Sequence, residues 1–290
     1  MSTAIHIATP AMTITPAATN ATPHKPRRSS PAPAICGDTG SHPATTRPRR
    51  RRPRSATPAL QTTGTPPVVA FGACPVVAFG DVHGCATLLE QELEQYYDSG
   101  AELIFLGDLI DRSPEPDGDR RVLERIWALQ RQPELWGLAG VTVLRGNHEQ
   151  MLLKALEEDE PDAATEVWEW NGGDPNLLPF YRQHRSWFAA LPHTAIRGAY
   201  LFVHAGVRPG VPLEQQKHDD LIWIRRPFLT RSHGLPYTVV HGHSITKDHR
   251  IDRRPDRINL DTGAFKSGVL SSLSLGLCSD LTHPLDAHVA

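Results

Sequence analysis

Three motifs in the chain contain aspartate, asparagine or histidine in close succession, and two later apolar runs end in histidine. These side chains bind hard or borderline divalent cations through oxygen and imidazole nitrogen. Any one of them could be a turn residue, a helix cap or a hydrogen-bonded core histidine. Five such run ends together are hard to explain as independent turns. The candidates are Asp81 and His83 (GDVHG, 80–84), Asp108 and Asp111 (GDLIDR, 107–112), Asn147 and His148 (GNHE, 146–149), His204 (HAG, 204–206), and His241 and His243 (HGH, 241–243).

This set of ligands suits a site with two metal ions. Two ions about 3.5–4 Å apart clamp the attacking and leaving oxygens of a phosphoryl displacement and lower the pKa of bound water toward roughly 7. The sequence has no Gly-rich phosphate loop and no dinucleotide fingerprint, which argues against a nucleoside triphosphate as a cofactor. The pattern therefore predicts metal-assisted hydrolysis of phosphate esters.

Each candidate is expected in a loop at the carboxyl end of a buried strand. The apolar runs at 76–80, 102–107 and 141–146 each precede a motif and are followed by apolar residues at helical spacing. A strand–loop–helix unit is thus predicted three times, and the carboxyl ends of such strands are where open sheets collect ligand groups.

The second half of the chain predicts more strands and a small cap. The apolar runs of AYLFVHAG, YTVVHGH and RINLDTGA read as strands, the last ending near Asp261, and alternation in SGVLSSLSLGL predicts a half-buried antiparallel strand. Residues 168–191, rich in Trp, Phe and Tyr, are expected to form a helical cap. The fold class is α/β, with helix-covered layers closed by a β-rich second half.

The beginning of the chain differs in composition from the rest. Residues 1–67 contain 12 of the 26 prolines, and residues 1–66 carry nine basic side chains against one acidic one, about +8. Because the whole chain has a net charge of −2, the remaining residues carry about −10. We expect a disordered basic extension over 1–67. Arg47–Arg54 could contact nucleic acid or an anionic surface, a solvated arm being the favoured reading, and a targeting extension is a further alternative.

A short duplication follows this extension. The sequence PVVAFG occurs at 67–72 and again at 75–80, and only the second copy leads into Asp81 and His83. We expect the second copy to form the working strand and deletion of residues 1–73 to leave activity intact. The predicted domains are the extension at 1–67, a duplicated strand-like segment at 68–74, a catalytic domain at 75–278 and a short tail at 279–290.

The five motifs, in their order along the chain, resemble the signature set of the calcineurin-like metallophosphoesterases. More narrowly, they resemble the PPP-type serine/threonine protein phosphatases of the bacterial and bacteriophage lambda kind, over about Val76 to Leu275. The resemblance implies a two-sheet mixed β-sandwich flanked by helices, with a dinuclear metal site at the strand ends. It also implies attack on the phosphorus by a metal-bridging hydroxide.

The resemblance implies a role for each matching residue. His148 would protonate the leaving alkoxide and Asp111 would orient it, because an alkoxide leaves poorly without a proton. Arg112 and Arg225 match phosphate-binding arginines, and the neighbouring Arg226 is an alternative to Arg225. His241 would have a structural role. The implied metal ligands are Asp81 and His83 for the first ion, Asp108 for both ions, and Asn147, His204 and His243 for the second.

The expected activity is dephosphorylation of phosphoserine and phosphothreonine, and of phosphotyrosine as a further option, in phosphoproteins or phosphopeptides. The alternative enzyme is a symmetrical diadenosine tetraphosphate hydrolase; those typically carry Ala where this chain has Asp111. The non-enzyme alternative is a scaffold tethered to nucleic acid. Ligands without thiolate fit Mn²⁺, Fe or Zn²⁺, with Mn²⁺ favoured. No transmembrane segment and no cysteine framework is present in the sequence, so a cytoplasmic protein is expected.

The sequence departs from the family pattern after GDLIDR. Ser113 stands where glycine is usual, and if that turn requires a positive φ the serine carries a steric cost and disturbs the placement of Arg112. The acidic stretch that follows, through Asp117 and Asp119, is expected to border the substrate groove and to disfavour acidic substrates.

Overall fold

The apolar runs form strands in the computed structural model, which describes residues 74–157 and 161–276. The expectations for residues 1–67, for the first PVVAFG copy, for Arg47–Arg54 and for the tail at 279–290 lie outside the described residues. The described strands are β1 (Val76–Phe79), β2 (Glu102–Phe105), β3 (Gly140–Val143), β4 (Thr194–Arg197), β5 (Tyr200–Val203), β6 (Thr238–His241), β7 (Asp252–Arg253), β8 (Arg257–Asn259) and β9 (Ser272–Leu275).

Helices follow the strands of the first half and cover the sheets. One of them starts earlier than its apolar pattern predicted: Asn147 and His148 lie in the first turn of α3 and not in a loop. The described helices are α1 (Ala86–Glu94), α2 (Gly118–Arg131), α3 (Asn147–Ala155), α4 (Pro161–Trp170), α5 (Leu178–Gln183), α6 (Arg185–Ala190), α7 (His218–Trp223) and α8 (Ala264–Ser267).

Two mixed sheets contain these strands. The first has the order β3-β2-β1-β9, in which β1, β2 and β3 are parallel and β9 is antiparallel to β1. The second has the order β4-β5-β6-β8-β7, with a parallel centre of β5, β6 and β8 and an antiparallel strand at each edge. The second PVVAFG copy supplies β1, as predicted, and β9 is the predicted antiparallel strand.

The two faces of β1 enter different parts of the core, because successive side chains in a strand point to opposite faces. Val76 and Ala78 pack with Phe202 and Val240 of the second sheet, so the two sheets meet face to face. Val77 and Phe79 pack in the other direction, among the side chains of the helices. Burial of strands on both faces explains the uninterrupted apolar runs in the sequence.

The second sheet has an apolar outer face as well. Leu201, Val203 and Val239 on this face pack with Leu221 of α7 and Phe228. The sequence pattern did not predict α7, because six residues are too few to show a helical period. Within the described residues, no helix is both long enough and apolar enough to cross a bilayer.

Candidate metal centre

Asp108 lies at the centre of the predicted site, directly after β2. Its carboxylate belongs to two groups of potential metal ligands, in each of which the donor atoms lie within 4.8 Å of one another. One group adds His83 and His148, and the other adds His204 and His243. All five residues are buried. An oxygen ligand shared by two groups of imidazoles is the arrangement required for a residue that bridges two ions.

Hydrogen bonds to backbone carbonyls orient two of the histidines. The Nδ1 atoms of His83 and His204 lie 2.9 Å and 3.0 Å from the carbonyl oxygens of Ile110 and Leu106. Donation from Nδ1 leaves Nε2 unprotonated, with a lone pair that can bind a metal ion, a common arrangement around metal sites. The Nε2 atoms of His83 and His204 lie 3.6 Å and 3.4 Å from the carboxylate oxygens of Asp108.

Three donor atoms of the second group converge at one point. The Oδ1 atom of Asn147 lies 2.9 Å from Nε2 of His204 and 2.7 Å from Nδ1 of His243. These atoms come from α3, which follows β3 of the first sheet, and from the segments that follow β5 and β6 of the second sheet. A carbonyl-type oxygen with two imidazole nitrogens is a donor set for a divalent cation of intermediate hardness.

Burial keeps these imidazoles neutral. It lowers the pKa of His83 well below its ordinary value, and the neighbouring His148 lowers it further. Burial likewise lowers the pKa of His204 to about 3, and lowers that of His243, on which His204 also acts. A neutral imidazole is the form that binds a metal ion, so these histidines are in the ligating state at neutral pH.

Asp81 lies beside the second group through its contact with the backbone of His243. The N–H of His243 lies 3.2 Å and 3.1 Å from the two carboxylate oxygens of Asp81. Burial raises the pKa of Asp81 well above its ordinary value, and the carboxylates of Asp261 and Asp108 add to this effect. Three buried carboxylates near one another favour a cation, because a positive charge would offset their mutual repulsion.

His148 has one ring nitrogen bound and the other without a partner. Its Nδ1 lies 2.6 Å from Oδ2 of Asp111, whereas its Nε2 has no hydrogen-bond partner among the described residues and lies 3.9 Å from Asp108. Burial lowers the pKa of His148 to about 4, against the opposing effect of Asp108. This geometry leaves Nε2 available for proton transfer, with the ring held by a buried carboxylate.

The cap holds Asp111, a contact that the sequence did not predict. The indole Nε1 of Trp168 donates to both carboxylate oxygens of Asp111, at 3.0 Å each. The N–H of Asp111 donates to Asp119 Oδ2 at 2.9 Å, and the hydroxyl of Tyr181 donates to the same oxygen at 3.0 Å. Burial raises the pKa of Asp111 well above its ordinary value, and the carboxylate of Asp119 adds to this. The aromatic content of the stretch indicated a cap but not these partners.

Glu149 joins the loops that carry the ligands. Its carboxylate accepts the N–H groups of Asp108 at 2.9 Å, Leu109 at 2.8 Å and Gly146 at 2.8 Å. Burial raises its pKa to about 8, and Asp108 raises it too, whereas the three N–H donors act in the opposite direction. The GNHE motif contains this residue, but its spacing does not reveal that it ties the end of β2 to the start of α3.

The two predicted phosphate-binding arginines are both beside the centre. Arg112 donates from Nε to the carbonyl of Asn171 at 3.1 Å, and its NH1 lies 3.2 Å from Nε2 of His83. Arg225 donates from NH2 to the carbonyl of His243 at 3.2 Å. Burial raises the pKa of Asp108, and the positive charges of Arg112 and Arg225 act in the opposite direction. The contact with the carbonyl of His243 favours Arg225 over its neighbour Arg226.

Backbone strain is concentrated at this site. His83, Asp108, Asp111, Arg112 and His243 all have φ between 47° and 68°, in the left-handed region that residues with a side chain seldom adopt. Such strain is often retained at functional sites, where the surrounding structure holds it.

Ser113 carries none of this strain. Its φ is not positive, so the steric cost considered for it falls instead on Asp111 and Arg112. Its hydroxyl lies 3.0 Å from the carbonyl oxygen of Gly84 and 2.9 Å from that of Glu115, and it accepts the N–H of Glu115 at 3.2 Å. Ser113 therefore links the two ligand-bearing loops that follow β1 and β2.

His241 lies outside the two ligand groups. Its ring packs edge-on against Phe228, with 4.9 Å between ring centroids, and its Nδ1 lies 3.0 Å from the carbonyl of Gly242. This location agrees with the structural role expected for the first histidine of HGH.

Comparison with known proteins is consistent with the site. A family model described as calcineurin-like phosphoesterase matches residues 74–266. Serine/threonine-protein phosphatase 2 of Escherichia coli K12 is 34% identical over 221 residues, spanning 66% of this chain and 88% of its own. Serine/threonine-protein phosphatase 1 of Salmonella typhimurium LT2 is 28% identical over 213 residues, spanning 66% of this chain and 87% of its own.

Other similar proteins bear names of a different activity. The asymmetrical bis(5'-nucleosyl)-tetraphosphatase PrpE of Anoxybacillus flavithermus is 25% identical over 225 residues, spanning 67% of this chain and 87% of its own. A crystal structure provisionally described as a diadenosine tetraphosphatase has a TM-score of 0.51 and 23% identity, over 72% of this chain and 90% of that chain. The latter likeness is one of fold.

Proposed function

This chain belongs to the calcineurin-like phosphoesterase family, and from that premise we propose that it is a protein phosphatase acting on phosphoserine and phosphothreonine. Membership makes it a metal-dependent hydrolase of phosphate esters. The names of the two enterobacterial relatives support the choice of a phosphoprotein as substrate. Phosphotyrosine is a further substrate option within the same chemistry.

The observation that carries the proposal is the contact between Asp111 and His148. A serine or threonine alkoxide is a poor leaving group that needs a proton, whereas a nucleotide phosphate leaves as a stable anion. Nδ1 of His148 is bound to Asp111 Oδ2 at 2.6 Å, and its Nε2 has no partner among the described residues. We assign Nε2 of the imidazolium form of His148, a form that the carboxylate of Asp111 would stabilise, as the atom that delivers a proton to the leaving oxygen, and Asp111 as the group that orients the ring.

Two divalent ions fit the donor set of the centre. When bound, they would polarise the phosphoryl oxygens and generate a nucleophile from water at neutral pH. Oxygen and imidazole donors without thiolate fit Mn²⁺, our first choice, as well as Fe and Zn²⁺. The proposed ligands are Asp81 and His83 for one ion, Asp108 for both ions, and Asn147, His204 and His243 for the other.

Arg112 and Arg225 are proposed to bind the phosphate. A guanidinium offers planar paired donors that match two oxygens of a phosphate. Arg112 contacts the ring of His83 and Arg225 contacts the backbone of His243, and the charges of both arginines oppose the rise that burial causes in the pKa of Asp108. A phosphate oriented between them would present its ester oxygen to His148.

A second candidate is the hydrolysis of dinucleoside tetraphosphates. It is favoured by the name of the relative from Anoxybacillus flavithermus. The carboxylate of Asp111 is the feature that argues against it, since proton donation to the leaving group matters less for an anhydride.

The test compares catalytic efficiency on a phosphothreonine peptide and on diadenosine tetraphosphate, with Mn²⁺ and the full-length protein. We expect the peptide to be the better substrate, and His148→Asn to lose about 100-fold or more in kcat on it. His184→Asn serves as the control, because that ring packs on Trp127 at 4.2 Å and touches none of the candidate residues. Preferential cleavage of the dinucleotide would overturn the substrate class and keep the metal centre.

A further inference from the structure

Phe265 lies outside the five motifs, yet its side chain contacts two of the proposed site residues. Its ring packs edge-on against the ring of His83, with 5.0 Å between the ring centroids. The guanidinium carbon of Arg112 lies over the ring of Phe265, 5.3 Å from its centroid. A cation over the face of an aromatic ring is attracted by the negative charge of that face. The ring therefore contacts both a proposed metal ligand and a proposed phosphate-binding arginine.

The backbone around Phe265 is held by contacts that do not involve Arg112. The preceding residue, Ala264, is only 2% exposed and packs in the core beneath the helices. The hydroxyl of Thr262 donates to the carbonyl of Val269 at 2.6 Å, which joins the segments before and after α8. The position of the aromatic ring is thus fixed by α8 and its neighbours, so that the ring can orient a longer side chain that packs on it.

The guanidinium of Arg112 has few other contacts with the protein. Its Nε donates to the carbonyl of Asn171 at 3.1 Å, and its NH1 lies 3.2 Å from Nε2 of His83. Its NH2 forms no hydrogen bond with any residue that the structure describes. One edge of the guanidinium is therefore held by the cap, and donors remain for an anion.

The acidic stretch that follows Arg112 does not pair with it. Glu115 forms its ion pair with Arg121, at 2.8 Å. Asp119, expected from the sequence to border the substrate groove, is only 3% exposed, and its Oδ2 accepts two hydrogen bonds from other residues. Within 74–157 and 161–276, Arg112 has no ion-pair partner. The orientation of its guanidinium thus depends on neutral contacts, of which the face of Phe265 is one.

We propose that Phe265 is a positioning residue for Arg112, and that its ring holds the guanidinium in the orientation that binds the phosphate of the substrate. The inference rests on the proposed function, because it takes Arg112 as a phosphate-binding residue. A long side chain loses rotamer freedom when it binds a ligand, and a ring that holds it beforehand lowers that cost. Phe265 thus raises the affinity for phosphate and leaves proton transfer by His148 unchanged.

The test measures the binding of inorganic phosphate to the full-length protein with Mn²⁺ by isothermal titration calorimetry, together with KM and kcat on p-nitrophenyl phosphate. Phe265→Leu keeps an apolar side chain and removes the aromatic face. We expect the dissociation constant of phosphate and the KM to rise roughly five- to tenfold, with kcat within about twofold of the wild-type value. Phe265→Tyr keeps the aromatic face and should restore both constants to within about twofold of the wild type.

A double-mutant cycle tests whether Phe265 acts through Arg112. Arg112→Met keeps a flexible side chain and removes the guanidinium, and in this background Phe265→Leu should have no further effect on phosphate binding.

The matched control is Phe180→Leu. The ring of Phe180 is also half-buried, with the guanidinium carbon of Arg120 at 5.0 Å from its centroid, and its ring contacts are with Trp127, Tyr181 and His184. This variant removes the same kind of contact away from the proposed ligands, and it should bind phosphate as the wild type does.

Three results would overturn the inference. The first is an unchanged affinity for phosphate in Phe265→Leu, and the second is an equal loss in the Arg112→Met background. The third is a loss that disappears at a higher Mn²⁺ concentration, which would show that the ring supports His83 and not Arg112. Failure of the proposed function looks different, because phosphopeptides would then not be hydrolysed while the effect of Phe265→Leu on phosphate binding would remain.

Discussion

The segments that follow the strands supply every candidate metal ligand, and the cap between Trp168 and Leu191 supplies none, yet residues of both regions contact the proposed catalytic pair, His148 and Asp111. His83 and His204 are oriented by carbonyls that follow β2, within the ligand-bearing half of the site. Asp111, in contrast, depends on the indole of Trp168 for two hydrogen bonds. On the proposed assignment, the loops define which ions and phosphate bind, and the cap defines how the proposed proton donor is oriented.

This difference has a physical origin. A metal ligand needs only to stand at the end of a strand that meets other strands at the same edge, so a local motif suffices. A residue that orients a buried carboxylate must lie on another element that packs against it, so that its hydrogen-bond donor reaches the carboxylate inside the protein. Loss of a loop residue should thus abolish binding, whereas loss of a cap residue should reduce one step of the reaction.

The largest expected effect belongs to the loops. Asp108→Asn replaces one oxygen of the shared carboxylate by an amide nitrogen and removes the charge that would hold two ions. We expect kcat to fall by about a thousandfold or more. Metal content measured by elemental analysis should fall from two ions per chain. Asp98→Asn, an exposed substitution, is the control; a variant with full metal content and activity would remove Asp108 from its bridging role.

The cap should act on proton transfer alone. Trp168→Phe removes the donor to Asp111 and keeps an aromatic ring, so we expect kcat on a phosphothreonine peptide to fall about tenfold with little change in KM. On 2,4-dinitrophenyl phosphate, whose leaving group needs no proton, the loss should be much smaller.

Trp170→Phe is the matched control for this experiment, because Trp170 lies on the same helix with 88% of its surface exposed. Equal losses on the two substrates would show that Trp168 supports the fold and does not position Asp111.

Substitution of Glu149 tests whether the loops need internal hydrogen bonds for stability, separately from their proposed role in metal binding. Glu149→Gln keeps the shape of the side chain but replaces one carboxylate oxygen by an NH₂ group. That NH₂ group would then face backbone N–H groups that donate to the carboxylate in the wild-type protein. We expect the free energy of unfolding to fall by about 2 kcal/mol, measured by urea denaturation. An unchanged denaturation midpoint would indicate that the three hydrogen bonds to Glu149 contribute little to the free energy of unfolding.

The smallest expected effect is that of the N-terminal truncation. Deletion of residues 1–73 keeps β1 with its partners β2 and β9, and so keeps Asp81 and His83 at the strand end. We expect catalytic efficiency and metal content to match those of the full chain. Loss of bound metal in the truncated protein would show that the first PVVAFG copy is needed.

Much of the fold could be predicted from the sequence, because buried strands appear in it as local runs of apolar residues. Strands that are covered on both faces read as apolar runs, and β1, β2, β3, β5, β6 and β8 all end near a candidate group, as predicted. Short elements left no such trace: α7 and the edge strands β4 and β7 are too brief or too exposed to show a period. The starting point of α3 was also missed, since GNHE reads as a loop until Gly146 is seen to precede its first turn.

The sequence by itself determined the strand-end motifs, their order and the chemistry of their side chains, because each motif depends on a few adjacent residues. Only the tertiary structure decided that Trp168, 57 residues beyond Asp111, donates to its carboxylate, and that Asp119 and Tyr181 meet beneath it. It also decided that Arg225 contacts the carbonyl of His243 and that Ser113 links two loops without strain. These contacts join residues distant along the chain, and their geometry arises from packing, which no local pattern of residues encodes.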